Sequence, residues 1–302
     1  VLTAEELGAD GGEVLESFAP TSFTVRALDT GPAREGASPS LAWGRSGKTL
    51  FVCECAPDET SGVVAWNVES LRARPVALNL PVAGDLLAAG IGDTFLLGFP
   101  DPNAGQPTVA LVQRGHLQPQ LEAEITVDAA ALLGEHVLVV QSRLITARTF
   151  RGAVRWSMVG TGITLGDTGS FVMRERDRLE FYDPFVNSPR RVISVPDRPM
   201  DVHVVRRRAL LRDARSLVMV GEDLLERVLD SRAGHVAAVS PSARQAAFLG
   251  RRDASPLIVD LRTGQDWAFE VGPPINACRW SPSGRRLAVA CGGGQLFLLE
   301  GQ

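Results

Sequence analysis

One short β-unit recurs along this chain, and a repeat of that kind leaves few ways to bury apolar residues. The clearest copy is RWSPSGRRLAVACGGGQLFLLE, from Arg279 to Glu300: an apolar run, a Ser-Pro-Ser-Gly turn, a second run, a glycine turn and a third run. Leu41-Ala42-Trp43 follows the same order, with Gly44-Arg45-Ser46-Gly47, Thr49-Leu50-Phe51-Val52 and Val63-Val64-Ala65-Trp66 behind it. So does Val236-Ala237-Ala238-Val239, with Ser240-Pro241-Ser242, Ala246-Ala247-Phe248-Leu249 and Leu257-Ile258-Val259. Weaker copies begin near Leu86, Ala130, Ile163 and Val202. First strands therefore start near residues 41, 86, 130, 163, 202, 236 and 277. These intervals of about 33 to 45 residues are the period of a four-stranded blade.

Seven copies at that period predict an all-β fold, a seven-bladed β-propeller with four-stranded blades. The turns between runs carry Gly, Pro, Asp and Ser, and Pro stays out of strand interiors, as ladder hydrogen bonding requires. The seventh copy has only three strands after Ile275, which would leave a bare edge. Residues 22–28 supply a fourth: Phe23, Val25 and Ala27 alternate with Thr24 and Arg26, the period-two signature of a half-buried strand. The expectation is one propeller domain over residues 21–302, its ring closed by the N-terminal strand joining the last blade, behind an acidic arm at residues 1–20.

Several of these stretches resemble the WD-repeat family. Ile258-Val259-Asp260-Leu261 is similar to the end of a WD-repeat third strand, with Val259 where the family prefers Trp. Val64-Ala65-Trp66-Asn67 looks like the same element with Asn67 in place of Asp, Phe181-Tyr182-Asp183 is a looser match, and Gly234-His235 is similar to the family's Gly-His dipeptide. A TolB-like propeller, which uses a similar Ser-Pro turn, is the rival within the same architecture. The WD-repeat resemblance implies a rigid scaffold that presents loops and faces to other proteins without catalysis. Trp43, Trp66, Asn67, Asp183, His235, Asp260 and Trp280 are then motif residues with structural roles.

Composition narrows the function classes. A formal net charge of -4 and a pI near 5.7 argue against general nucleic-acid binding, which wants a basic footprint. Apolar runs are strand-length, short of the ~20 residues of a membrane span, and the acidic N-terminus lacks the basic and apolar regions of a signal peptide. Four cysteines are too few for a disulfide scaffold and fit a reducing compartment. A cytoplasmic protein is expected, without nucleic-acid or membrane partners.

Residues able to carry chemistry are scattered along the chain. Cys53-Glu54-Cys55 puts two thiols on one side of a strand, but structural zinc pairs are spaced C-x₂₋₄-C; with Cys278 and Cys291 a four-cysteine site competes with buried apolar thiols. His116, His136, His203 and His235 lie in different repeats, at no metal-binding spacing. There is no G-x-S-x-G elbow and no P-loop, and Gly292-Gly293-Gly294 reads as a hairpin turn. No cofactor, metal or catalytic residue is expected.

Charge is unevenly spread. Arg174, Arg176 and Arg178 alternate with Glu175 and Asp177, which on a hairpin would separate the two signs, and Arg190, Arg191, Arg206, Arg207 and Arg208 follow. One reading is a solvated, partly self-paired surface; the other is a basic sector that docks an acidic partner. Phe185 and Val186, between Pro184 and Pro189, are candidate contact points, with packing under the next blade as the competing explanation. The expected molecule is a non-catalytic scaffold for one or more protein partners within a multi-protein assembly. The alternatives are a propeller enzyme of lactonase or hydrolase type acting in the central channel, and a small-ligand or peptide sensor.

Overall fold

The computed structural model describes residues 20–28, 38–55, 62–76, 85–100, 107–117, 127–166, 168–195, 201–206, 208–212, 217–220, 225–228, 235–249, 256–271 and 275–302. Nearly all are strand or tight turn. After β1 (Phe23–Leu28), blade one is β2 (Ser38–Trp43), β3 (Thr49–Cys55), β4 (Gly62–Asn67) and β5 (Arg72–Val76). Blade two is β6 (Asp85–Ala89), β7 (Thr94–Pro100), β8 (Pro107–Gln113) and β9 (His116–Leu117). Blade three is β10 (Ala129–Leu133), β11 (His136–Gln141), β12 (Leu144–Thr149) and β13 (Val154–Val159). Blade four is β14 (Thr164–Leu165), β15 (Phe171–Glu175), β16 (Arg178–Tyr182) and β17 (Arg191–Ser194). Blade five is β18 (Asp201–Val205), β19 (Arg208–Arg212), β20 (Leu217–Val220) and β21 (Leu225–Val228). Blade six is β22 (His235–Val239), β23 (Gln245–Leu249), β24 (Pro256–Asp260) and β25 (Asp266–Ala268). The seventh sheet joins β26 (Ile275–Trp280), β27 (Arg286–Cys291) and β28 (Leu296–Gly301) to β1, which runs antiparallel to β28 with Phe23 opposite Gly301 and Leu28 opposite Leu296. The fold is a seven-bladed β-propeller. Among the described residues no helix is long and apolar enough to cross a membrane.

Contacts divide the chain into two compact units, one holding residues 87–230 and the other residues 11–86 with 231–302. In each, the core lies between the facing sides of successive blades. In β11, Val137 and Val139 pack with Leu96 and Leu111 of blade two, while Leu138 and Val140 pack with Phe171 and Met173 of blade four. Alternate side chains of one strand thus serve two layers, so an inner strand reads as a continuous apolar run. Each such side chain contributes about 2 kcal/mol of burial. In the other unit, Leu41, Trp43, Leu50 and Val52 of blade one pack on Ala288, Ala290, Leu296 and Leu298 of blade seven.

The outermost strands look different in sequence. β5, RARPV, buries only Val76, and β25, DWA, buries none of its side chains fully. Pro39 and Pro75 lie inside β2 and β5, against the expectation that Pro avoids strand interiors; both strands pair on one side only, where a missing N–H can face away from the ladder.

Four blades share one turn between their first and second strands. Gly44, Gly166, Ser240 and Ser281 each accept a backbone hydrogen bond from the residue three positions on, and donate across the hairpin mouth to Thr49, Ser170, Gln245 and Arg286. The fourth turn residue must take positive φ, and three of the four are glycine: Gly47 at 69°, Gly169 at 81° and Gly284 at 76°. Blade six places Ala243 there, at 57°. In blades six and seven the first serine's Oγ also accepts from the amide of Gln245 and of Arg286, which explains why Ser opens these turns.

Candidate interaction surface

The motif residues build turns and inter-blade contacts. Asp260, 3% exposed, ends β24, and its Oδ1 accepts from the amides of Arg262 and Thr263 at 2.9 Å each, folding the chain into β25. Its Oδ2 accepts from Arg244 Nε at 2.7 Å. Burial pushes its pKa up; the Arg244 guanidinium and the two amides outweigh this, so the carboxyl lies below its ordinary value. Asn67 repeats the turn uncharged: its Oδ1 accepts from Glu69 at 3.0 Å and Ser70 at 2.9 Å. Lys48, in the place of Arg244, pairs instead with Glu69 at 3.4 Å. Trp43 donates its Nε1 to the Arg279 carbonyl at 2.8 Å, tying blade one to blade seven, and Trp66 is buried beside it. Trp280 meets the Phe23 ring edge-on in the layer between blades six and seven. His235 begins β22, and its side chain lies outside the described residues.

Each blade has an upper end, where its first strand turns into its second and its third into its fourth, and a lower end, where its second turns into its third. Within residues 87–230 the upper ends of successive blades lie side by side. A Cβ on Gly166 would stand 2.8 Å from the Val204 carbonyl oxygen at the end of β18, and one on Gly169 would stand 3.1 Å from Leu133 at the end of β10.

This frame divides the arginines. Arg176, with φ 45°, and Asp177 form the two-residue turn at the lower end of blade four, and Arg174 and Arg178 flank it in β15 and β16. Arg190 and Arg191 sit at the upper end, about 13 Å away along β16 at 3.3 Å per residue. Arg206 and Arg208 belong to the upper end of blade five; Arg207 lies outside the described residues. The hairpin expected here forms, but Glu175 stands opposite Arg178 in its ladder, so the alternation from Arg174 to Arg178 does not separate the two signs.

The 183–190 connection is held by four contacts. The Phe185 ring packs edge-on against His136, centroids 5.2 Å apart, and against Trp156 at 6.3 Å. Trp156 donates its Nε1 to Asn187 Oδ1, and Arg190 pairs with Asp183 at 3.6 Å. Phe185 itself has φ 65°, a conformation that costs a bulky residue about 1–3 kcal/mol. Phe185 is thus an anchor between blades three and four, while Val186 beside it is 42% exposed. Burial, then Arg155, holds the His136 imidazole below its ordinary pKa. Tyr182, next in this layer, donates to Glu180 Oε2 at 2.6 Å, and burial with that hydrogen bond raises its pKa.

Sequence reasoning missed the neighbours of this loop. Val154 and Val192 stand 53% and 48% exposed on the outermost strands β13 and β17, and Arg151 and Arg155 flank Val154. The signal was available in the apolar β13 sequence VRWSMV, unusual for an outermost strand. Cys53, Cys278 and Cys291 are buried and form no disulfide with one another; burial pushes Cys278 up to about 12 and Cys291 up to about 11, so both stay protonated thiols. The Cys55 side chain lies outside the described residues. Among the described residues no three His, Cys, Asp or Glu side chains gather as a metal site.

No known family model matches the chain, and no curated protein matches it. Solved structures do. A chain in the crystal structure of a mitotic checkpoint complex matches with a TM-score of 0.59 at 14% identity, over 93% of this chain and 91% of that one. The β-propeller domain of Cps50 (Swd1) from Myceliophteria thermophila matches with a TM-score of 0.62 at 13% identity, over 92% of this chain and all of that one. At these identities the likeness is one of fold, that of a β-propeller.

Proposed function

We propose that this chain is a non-catalytic propeller scaffold, cytoplasmic, that binds other proteins within a multi-protein assembly. The observation that carries the reading is the 183–190 connection. Strained at Phe185 and fixed by four contacts, it holds Val186 partly in solvent, 42% exposed. Loops fixed in this way are pre-organised for binding and lose little entropy on contact. One of the similar solved chains comes from a multi-protein complex, which supports an assembly role here by fold analogy. The motif residues serve structure in this reading, Phe185 anchors the loop, and Val186 with the arginines at the same end of the blade serves contact.

The test is affinity recovery of the tagged full chain from its native extract, with stoichiometry by quantitative mass spectrometry and a lactone and phosphoester screen on the same sample. A protein partner at a fixed ratio and no turnover are expected. A monomeric chain that turns over a lactone or phosphoester would overturn the reading.

A further inference from the structure

The outermost strand of a blade is paired on one edge and open on the other, and an open edge is a template for a further strand unless charge, proline or brevity blunts it. Most of the outermost strands are blunted in this way. β1 carries Arg26, β5 carries Arg72, Arg74 and Pro75, β17 opens on Arg191, and β21 holds Glu226 and Arg227. Among the described residues β9 has two and β25 three. β13, VRWSMV, differs: Arg155 is its only charge, and neither a charged residue nor a proline occurs from Trp156 to Gly166.

The ladder fixes which backbone groups of β13 face outward. Gly160 donates to the Arg143 carbonyl at 2.8 Å, and the register sets Met158 on Ile145 and Trp156 on Ala147, so by antiparallel alternation these residues bond inward to β12. Ser157 and Val159 turn their N–H and C=O groups away from β12, and no described strand pairs with them. The bulge between Ala147 and Arg148 ends this regular edge at Trp156. Side chains alternate as well: Trp156 and Met158 are part-buried in the layer with blade four, while Ser157 and Val159 are exposed, Val159 at 73%. Recognition of a foreign strand draws its specificity from pockets that read alternate side chains. At 73% exposure Val159 has no wall beside it to form one, and what the edge offers is backbone pairing to a strand whose free groups have the same spacing, which is β13 itself.

We propose that two copies of this chain associate through β13, paired antiparallel with Ser157 of each opposite Val159 of the other. Every outward N–H and C=O of Ser157 and Val159 is then satisfied on both copies. The two-fold axis passes between Met158 and Met158 of the second copy, and two four-stranded blades become one continuous sheet. Such a contact is self-complementary and closes at two copies. Arg155 lies three residues from the axis in each copy, which keeps the two guanidinium groups about 20 Å apart along the edge. One short edge buries less than the ~1,200 Å² of a standard interface, so the association is weak and depends on concentration.

Sedimentation velocity of the full chain, from low to high micromolar concentration, tests the proposal. The mass should rise from 32.3 kDa toward twice that value. Val159→Lys, which charges the edge, and Ser157→Pro, which removes an outward N–H without breaking the β12–β13 ladder, should each weaken the dimer about tenfold. Val192→Lys, on the neighbouring outermost strand β17, should leave it unchanged. Unmoved melting temperatures show that the variants are folded, and Val159→Lys decides alone if the proline variant melts early. A chain that stays monomeric at every concentration, or a dimer that folded Val159→Lys leaves intact, overturns the proposal. So does a purified monomer whose photo-reactive residue at position 159 cross-links in extract to a different protein, since a foreign strand then holds the edge. Failure here leaves the scaffold reading standing, because that reading rests on the 183–190 connection and not on this edge.

Discussion

Removing the Asp260 carboxylate should be among the most damaging single substitutions in blade six. In Asp260→Ala the amides of Arg262 and Thr263 lose their acceptor, and Arg244, with a side chain only 19% exposed, loses its ion partner. Breaking one side of a buried hydrogen-bonded pair costs about 3–5 kcal/mol, most of it the penalty of stranding the remaining groups. At about 2 °C per kcal/mol for a chain of this size, the melting temperature should fall by about 6–10 °C. Asp260→Asn keeps an acceptor for both amides, as Asn67 does in blade one, and places an NH₂ against Arg244, so it should cost about half as much. The carboxyl is held below its ordinary pKa, so the unfolded chain takes up its proton first as pH falls. The contribution is complete above the ordinary carboxylate pKa and is lost as pH drops through the folded value. Differential scanning calorimetry at pH 7, 5 and 3.5 on wild type and both variants checks this. A loss under 1 kcal/mol for Asp260→Ala at pH 7, or a wild-type advantage that grows on acidification, would refute the reasoning.

Ala243→Gly should raise stability by about 0.5–1 kcal/mol in urea unfolding, since relief of left-handed strain outweighs the added unfolded-state entropy. Phe185→Ala should cost about 2–3 kcal/mol and change Trp156 emission, through loss of the contacts with His136 and Trp156. The same anchor should weaken on mild acidification: His136 is held below its ordinary value, so its contribution is complete above pH 6.5 and declines as pH falls, and His136→Gln should flatten the melting temperature between pH 7 and 5.5. Cys278 and Cys291, buried and protonated, should resist alkylation at pH 8 in the folded protein and react in urea, read peptide by peptide by mass spectrometry.

What the sequence made legible follows from where each strand lies in its blade. Inner strands such as β3, β11 and β27 are covered on both faces and appear as apolar runs, so their period emerges from the sequence alone. The outer strands β5, β9 and β25 carry Arg, Asp and His on solvated edges and leave no run to find. The Asp260 and Asn67 turns could be named because they depend on local bonds two and three residues away. The arginines could not be grouped correctly, since that needs the hairpin register, which sets Glu175 opposite Arg178, and the knowledge that Arg190 lies at the opposite end of β16. Phe185 looked like an exposed contact for the same reason: its partners His136 and Trp156 come from blade three, far from it in sequence.

Amine-directed cross-linking cannot map a partner on a chain whose only lysine is Lys48, so a photo-reactive residue placed at chosen positions is the direct probe. Substituted for Val186 or Val154, it should cross-link to a partner protein on irradiation of the native assembly, and for Arg176 it should give no adduct. Adducts from position 176 with none from 186 or 154, or a chain that cross-links to nothing while turning over a substrate, would contradict the account.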